Sequence, residues 1–484
     1  MRLRDLLKDV EVVEWATSPE LEIGGVSYDS RQTQTDDVFV AVTGFASDGH
    51  RFIPMAAEKG AATVVCQTKP ETEIPYVRVA DSRLALAQCS CNFFGDPASQ
   101  MVMVGITGTN GKTTCAKLIA HVLESCLGAK VGLIGTTGNS IGGEFLPSER
   151  TTPESYELQK LLRRMADAGC THVVMEVSSH ALCLHRVAGI TYDVGLFTNL
   201  TQDHLDFHGT MEAYAAAKAM LLTRCRRAVL NRDDTWYPFM KERAACPVTS
   251  YSLNDNAAGV VGKDMRLLPD RVRFCAVTGD GLAPVRLGIP GQFTVYNALG
   301  VIACCQALGI PPEDCAATLE TARGVTGRME SVPVDGDYTI LIDYAHTPDA
   351  LENVLLAVRE TAPGRVVVLF GCGGDRDRIK RPIMGKIGTE LSDFAIITSD
   401  NPRTEPPEAI IGDILAGVEV KKNRYTVIPD RERAIEWAIE HHVPGDVIVL
   451  AGKGHETYQE IGHVKRHMDE REIVAEILEK RKNK

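Results

Sequence analysis

The stretch Met101-Val102-Met103-Val104-Gly105-Ile106-Thr107-Gly108-Thr109-Asn110-Gly111-Lys112-Thr113-Thr114 decides the fold, because it runs an apolar strand straight into a glycine loop. A helix is predicted directly behind it, from about Lys112 to Leu127. Small residues let backbone N–H groups close around phosphate oxygens, and the helix N-terminus adds a favourable dipole. Lys112 can reach terminal phosphates, and Thr113 can offer its hydroxyl to Mg²⁺. In the strict phosphate-loop spacing the first glycine falls where Ile106 stands, so this loop is a variant. Its physics still points to ATP. A plain strand–turn–helix is the weaker reading, given the strand before the loop and Gly111-Lys112-Thr113-Thr114 opening the helix.

Further strands are predicted downstream at Val131 to Ile134, His172 to Val177, Val194 to Thr198 and Ala228 to Asn231, with helical stretches between several of them. That alternation predicts a parallel, doubly wound sheet. Upstream, Val38 to Val42 and Ala62 to Cys66 are strand-like, Asp81 to Phe94 reads as a helix, and Gly95-Asp96-Pro97 is boundary chemistry. Beyond residue 331 the strands are Thr339 to Asp343, Arg365 to Phe370, Phe394 to Thr398 and Val447 to Ala451. The expectation is an α/β protein of three domains. Residues 1–98 form the first, 99–330 a central doubly wound phosphate-loop domain, and 331–484 a Rossmann-like domain. Ligands bind beyond the carboxyl ends of such strands, so two strand-end surfaces could face each other across a cleft.

Composition narrows the function classes. A net charge of -12 over 484 residues argues against a general nucleic-acid or acidic-lipid surface, while leaving room for a local cationic pocket. The 14 cysteines include no CxxC pair. Cys89 and Cys91, and the adjacent Cys304 and Cys305, lack zinc-knuckle spacing, so reduced, buried thiols are expected. The N-terminus lacks a signal-peptide core and no apolar run approaches a membrane span, so a cytoplasmic protein is expected. The basic tail from Glu479 to Lys484 is expected to fray.

Several motifs carry chemistry. Glu176 ends a strand beside the loop, where a carboxylate can hold magnesium; a surface glutamate is the even alternative. The run from Thr198 to Gly209 is dense in metal-capable groups, so a zinc site competes with a solvated loop. Lys218, in an alanine-rich helix, is unremarked by its own spacing. Three motifs follow strands in the last domain: Gly371 to Asp377, Asp400-Asn401-Pro402-Arg403, and Gly452-Lys453-Gly454-His455-Glu456. Arginines with a glutamate near one sheet edge suit a zwitterion, guanidinium for carboxylate and glutamate for ammonium. His455-Glu456 lacks the second histidine of a metalloprotease motif.

The loop, the run Glu176-Val177-Ser178-Ser179-His180, Asp203-His204-Leu205-Asp206, Gly327-Arg328-Met329-Glu330 and Asp343-Tyr344-Ala345-His346-Thr347-Pro348 together resemble the Mur ligases, ATP-dependent amide-forming enzymes of peptidoglycan synthesis. The resemblance runs from about Tyr28 to Gln459. Asp400 to Arg403 resembles the form found in members that add meso-2,6-diaminopimelate, where lysine-adding relatives lack the arginine.

The resemblance implies roles. ATP falls to Gly108, Thr109, Asn110, Gly111, Lys112, Thr113, Thr114, Asn297, Arg328, Asp343 and His346. Tyr28, Ser30, Phe45, Ala46 and Ser47 would meet the uridine nucleotide, making residues 1–98 the UDP-substrate domain. Thr151, Thr152, Ser178, Leu184 and Arg186 would hold the muramoyl dipeptide, with Leu184 standing where the family often has glutamine. Arg376, Asp400, Asn401, Pro402, Arg403, Gly452 and Glu456 would bind diaminopimelate. Lys112, His204 and Lys218 would be catalytic. Lys218 matches the lysine that relatives carbamylate, and Thr113, Glu176, His204 and the carbamate would bind Mg²⁺. Gly291-Gln292-Phe293-Thr294 departs mildly from the family's Gly-x-Phe-Asn. The partners implied are ATP, UDP-N-acetylmuramoyl-dipeptide and diaminopimelate, taken by a monomer. The rivals are the same reaction with L-lysine, a folylpolyglutamate synthetase, and a nucleotide-binding protein without ligation.

Overall fold

The strand Val102–Thr107 sits inside an eleven-stranded sheet, between His172–Glu176 and Tyr192–Phe197. Both neighbours run parallel to it, with Val104 opposite Val174 on one side and Val194 on the other. Parallel pairing sends the carboxyl ends of these strands to one edge, which gathers Gly108, Glu176 and Thr198 there. The protein is described by a computed structural model over residues 1–44, 47–148, 150–268, 271–322, 324, 326–419 and 424–482.

This sheet is not wholly parallel, which corrects the expectation. Val260–Leu267, Val272–Thr278 and Gly281–Leu287 form an antiparallel ribbon at one edge, and Asn139–Ile141 with Glu144–Leu146 a hairpin at the other. The ribbon's inner residues alternate: Val272, Phe274 and Ala276, then Ala283, Val285 and Leu287, are buried while their neighbours reach solvent. That period of two belongs to a sheet with one wet face. The helix Gln292–Ala307 covers the dry face and packs with Lys112–Leu127 in one core, Val295, Leu299 and Ile302 meeting Leu118, Ile119 and Val122.

Two further sheets flank it. The first has the order Val12–Ala16, Tyr76–Val79, Thr63–Cys66, Asp37–Val40, Gly25–Ser27. Its helix Ser82–Phe93 starts where Asp81 accepts the Arg83 and Leu84 N–H groups. The other orders Glu330–Val332, Thr339–Asp343, Val447–Ala451, Val366–Phe370, Phe394–Ile397 and Tyr425–Val427, parallel after the first pair, with separate cores on its two faces. The α/β class with its doubly wound and Rossmann-like sheets is thus observed. As far as Lys482 the tail is helical, in Glu470–Lys482, and Arg481 donates to the Ile439 carbonyl at 2.6 Å; Asn483 and Lys484 lie outside the described residues. All 14 cysteines are free thiols, most of them buried. No helix among the described residues is long and apolar enough to cross a membrane.

Candidate functional site

The glycine loop is shaped by what surrounds it. Gly111 has φ +84°, and a Cβ there would collide with Asn297 Oδ1; a Cβ on Gly108 would collide with Thr198 Oγ1. Only glycine meets both demands. Asn199 grips the loop through its carbonyl, which accepts Thr109 N at 2.9 Å, and through Oδ1, which accepts Asn110 N at 2.9 Å. Lys112 folds back, donating to the Gly108 and Thr109 carbonyls at 2.9 and 2.8 Å. Lys218, only 2% exposed, donates to the same Gly108 carbonyl at 2.8 Å and lies 4.5 Å over the Tyr214 ring. Two ammonium groups therefore converge on one oxygen. Burial, with Lys112 nearby, holds Lys218 well below the usual lysine range.

Glu176, 1% exposed, accepts the Thr113 hydroxyl at 2.9 Å, Thr136 N at 2.9 Å and the Thr136 hydroxyl at 3.0 Å. A buried carboxylate against a hydroxyl is an oxygen donor set that fits a hard divalent cation. Among the described residues no group of three or more His, Cys, Asp or Glu is arranged to hold a metal, so the zinc alternative gains no support. Instead Asp203 accepts His204 N at 3.0 Å and lies 3.6 Å from Lys380 Nζ, which crosses from the last domain. His204, in the left-handed region at φ +53°, stacks edge-on against His180.

Burial pushes His204 down to about 3, and His208, His346 and His455 down to about 4, from an ordinary 6.5. Below pH 6.5 the unfolded chain takes up these protons first, so stability falls as the pH falls toward 4. His172 and His180, also lowered by burial, act in the same sense, while Asp234, raised by burial to about 6, and Glu124, Asp343, Asp349 and Glu470, raised by burial too, oppose them. Thermal unfolding followed between pH 7 and 5 should show a falling Tm; a flat profile would contradict this account of the histidines.

Two cavities flank the loop. The smaller, about 290 Å³, is lined by Asn110, Gly111, Thr113, Thr114, Asn297, Arg328 and Asp343, uniting much of the expected ATP set. Gly108, Thr109 and Lys112 are not on its wall, and His346 lines the other cavity instead. Arg328 stacks 4.8 Å over Tyr344, while Asp343 accepts Met329 N at 2.7 Å. The wall also holds residues that motif reading passed over: Asn199, Asp233, Tyr251, Tyr296 and Asp349. Tyr296 donates to Asp233 at 3.0 Å, and Asn110 reaches across to Asp349 at 2.7 Å. Tyr296 lies one turn beyond Gln292-Phe293 and Asn199 stands inside the run from Thr198 to Gly209, the available signals; Asp233, Tyr251 and Asp349 sit in no quoted motif.

The larger cavity, about 740 Å³, brings Thr151, Asp203, His204 and His346 against Arg376, Asp400, Asn401, Arg403, Gly452 and Glu456. Asp400 is buried, and its Oδ2 has no hydrogen-bond partner among the described residues. A Cβ on Gly452 would stand 2.7 Å from that oxygen, so glycine keeps the approach open. Arg403, left-handed at φ +50°, donates to Glu460 at 3.0 Å and to the Gly374 carbonyl at 2.8 Å. Glu456 is held by Asn401 at 2.8 Å and by Lys453 at 2.7 Å. Lys453, fully buried, also donates to Asn401 Oδ1 at 2.9 Å, so it ties two of the three motifs together. Sequence reasoning missed this lysine, although it stands inside a quoted motif. Pro402 shapes the turn, its carbonyl accepting Glu405 N at 3.1 Å.

The residues expected to hold the nucleotide-linked substrate are scattered. Thr152, Ser178 and Arg186 form one knot: the Thr152 hydroxyl accepts Ser178 N at 3.1 Å, and Arg186 donates to the Thr152 carbonyl at 3.2 Å. Leu184 ends the helix Ser179–Cys183. Tyr28 donates to Glu157 at 2.9 Å, Ser30 faces Met55, and Ser47 closes a turn with Gly44; none of them lines either cavity. Phe45 and Ala46 lie outside the described residues.

Three family models match the chain in order: "Mur ligase family, catalytic domain" over residues 22–92, "Mur ligase middle domain" over 106–305, and "Mur ligase, glutamate ligase domain" over 327–454. The chain is 43% identical to the UDP-N-acetylmuramoyl-L-alanyl-D-glutamate--2,6-diaminopimelate ligase of Clostridium botulinum, with 99% of each chain covered. It is 44% identical to the correspondingly named ligase 1 of Clostridium acetobutylicum, again over 99% of each. A solved structure of such a diaminopimelate ligase, 32% identical, superposes with a TM-score of 0.72 over 100% of this chain and 99% of that one.

Proposed function

The chain belongs to the Mur ligase family, and from that premise we infer that it joins meso-2,6-diaminopimelate to UDP-N-acetylmuramoyl-L-alanyl-D-glutamate, driven by ATP, in peptidoglycan synthesis. The observation that carries this reading is the larger cavity, where cationic Arg376 and Arg403 and the unpartnered Asp400 oxygen face Asp203 and His204 beside the glycine loop. Guanidinium and carboxylate together match the distal zwitterion of diaminopimelate, of which lysine supplies only the ammonium.

The glycine loop and Lys112 hold the triphosphate, Lys112 exchanging the Gly108 and Thr109 carbonyls for phosphate oxygens. Thr113 and Glu176 would hold Mg²⁺, and a carbamate on Lys218 with His204 would hold another. Bound there, the metal supplies positive charge to the transferring phosphoryl group. The D-glutamate γ-carboxylate takes the phosphoryl group, and the diaminopimelate amine attacks the acyl phosphate. Phosphate leaves after a tetrahedral intermediate. Walls from both domains, joined by Lys380–Asp203 and Asn110–Asp349, keep water from the acyl phosphate. A reaction that uses ATP and a UDP-linked precursor belongs in the cytoplasm, and one chain supplies every motif named, as a monomer requires. The purified protein with ATP, Mg²⁺, the UDP-linked dipeptide and diaminopimelate should release phosphate; no release with any amino acid would sink the assignment.

Glu460 gives a sharper check on the amino-acid end. It pins one edge of the Arg403 fork at 3.0 Å, and its backbone carbonyl accepts Arg403 N at 3.1 Å. Glu460→Gln keeps the backbone bond and weakens the charge-assisted one. The KM for diaminopimelate should rise about three- to tenfold with kcat little changed. Steady-state kinetics decide, and a fall in kcat at constant KM would point elsewhere.

A further inference from the structure

Cys225 and Cys246 place their sulfurs 3.6 Å apart. Cys225 opens the strand Cys225–Asn231, and Cys246 lies just before its parallel neighbour Val248–Ser252, the two strands being in register at Ala228 and Val248. Both thiols point at one acceptor, the Leu222 carbonyl, at 3.7 and 3.8 Å. Room for this exists because position 195 is glycine: a Cβ there would stand 2.9 Å from the Cys225 sulfur. Cys225 is 8% exposed, whereas Cys246 is half-buried between exposed Ala245 and Pro247. The contrast is Cys305 and Cys315, which also face each other but are both sealed from solvent.

We propose that Cys225 and Cys246 form an oxidation site, a dithiol that a peroxide converts to a disulfide. A disulfide sulfur–sulfur bond is about 2.05 Å long, so the sulfurs need approach by only about 1.5 Å. Cys246 is the thiol an oxidant reaches first. Its thiolate attacks one peroxide oxygen, forming an S–O bond and breaking the O–O bond, and the departing hydroxide takes the thiol proton and leaves as water. The Cys225 sulfur then attacks the sulfenyl sulfur, forming the S–S bond and breaking the S–O bond; the oxygen leaves with the Cys225 proton as a second water. Two thiols are oxidised by two electrons and one peroxide is reduced. Burial holds the Cys225 thiol up in its protonated form, which suits it to the second, resolving step. The site has a position that matters: the turn at Leu221 and Leu222 is hydrogen-bonded to the Lys218 and Ala219 carbonyls, so the bond would tether the end of the helix bearing Lys218 to the next strand.

The test treats the full-length protein with hydrogen peroxide and counts free thiols under denaturing conditions, followed by peptide mass mapping without reduction. Of the 14 thiols present before treatment, two are expected to disappear first, with a dithiothreitol-reversible link between the peptides carrying Cys225 and Cys246. Cys246→Ser, at a half-exposed position outside both cavities, should turn over normally and lose the link. Cys225→Ser should leave Cys246 as a sulfenic acid that dimedone traps. The proposal is overturned if peroxide leaves both thiols free, if Cys246 goes to sulfinic acid unlinked in the unsubstituted protein, or if Cys246→Ser loses thiols at the same rate.

Discussion

Lys218→Ala is expected to lower ligase turnover by about 10²–10³-fold, the scale of removing one preorganised electrostatic group from a phosphoryl-transfer site, with ATP affinity changed only a few-fold. The argument starts from burial. Lys218 is 2% exposed, shares the Gly108 carbonyl with Lys112, and has the Tyr214 ring for its other neighbour. A second cation in that setting is poorly tolerated, and its pKa is driven down accordingly. A lowered pKa increases the share of free amine, the form that adds to carbon dioxide. Its nitrogen bonds the carbon and gives up a proton, leaving an anionic carbamate where a cation stood. The change of sign would relieve the repulsion with Lys112 and supply oxygen donors beside Gly108 and near His204. Turnover measured by phosphate release, beside ATP binding by calorimetry, separates this from misfolding. Short carboxylates added to the variant should restore part of the rate by supplying the lost oxygens. A variant that keeps its turnover, or one that no carboxylate helps although it still binds ATP, would remove Lys218 from the mechanism.

Lys218 also shows where reading the chain stops. Its neighbours in sequence are alanines, and nothing local separates it from a solvated lysine; its hydrogen-bond acceptor is Gly108, 110 residues away. The loop was legible because its chemistry is contiguous: strand, glycines, lysine and helix follow one another, and Lys112–Leu127 starts and ends where the pattern predicts. Val131–Ile134, Thr339–Asp343 and Val447–Ala451 were likewise apolar runs with plain boundaries. The antiparallel ribbon carried a legible signal in Val272, Phe274 and Ala276, but exposed Arg273 between them, and exposed Pro284 and Arg286 in the next strand, broke up any apolar run. His346 lines the larger cavity and not the smaller one, a placement no spacing encodes. Lys453 was hidden differently: in sequence it is one more lysine in a glycine motif, three residues from Glu456, and only the fold brings Asn401 onto its ammonium as well.

Arg403→Ala is expected to raise the KM for diaminopimelate by about 10–100-fold, the scale of a lost charge-assisted hydrogen-bond pair, and to erase the preference over L-lysine. Arg403 is built for display. Its backbone is left-handed at φ +50°, a conformation that a non-glycine residue keeps only when its surroundings insist. They do so through two backbone bonds to the following hairpin, Arg403 N to the Glu460 carbonyl at 3.1 Å and Gly462 N to the Arg403 carbonyl at 2.7 Å. The side chain is then fixed by Glu460 and the Gly374 carbonyl, which take Nε and Nη1, while the residue lines the larger cavity. A guanidinium fixed at two of its nitrogens loses little freedom on meeting a carboxylate, so its interaction is retained as affinity. Lysine as substrate offers no distal carboxylate and gains nothing from Arg403, so its KM should hardly move. Arg403→Lys restores the charge without the fork and should fall between the two. Steady-state kinetics with both amino acids on all three proteins give the ratio directly. If Arg403→Ala discriminates as well as the unsubstituted enzyme, recognition of the distal carboxylate lies with Arg376 or elsewhere on the cavity wall.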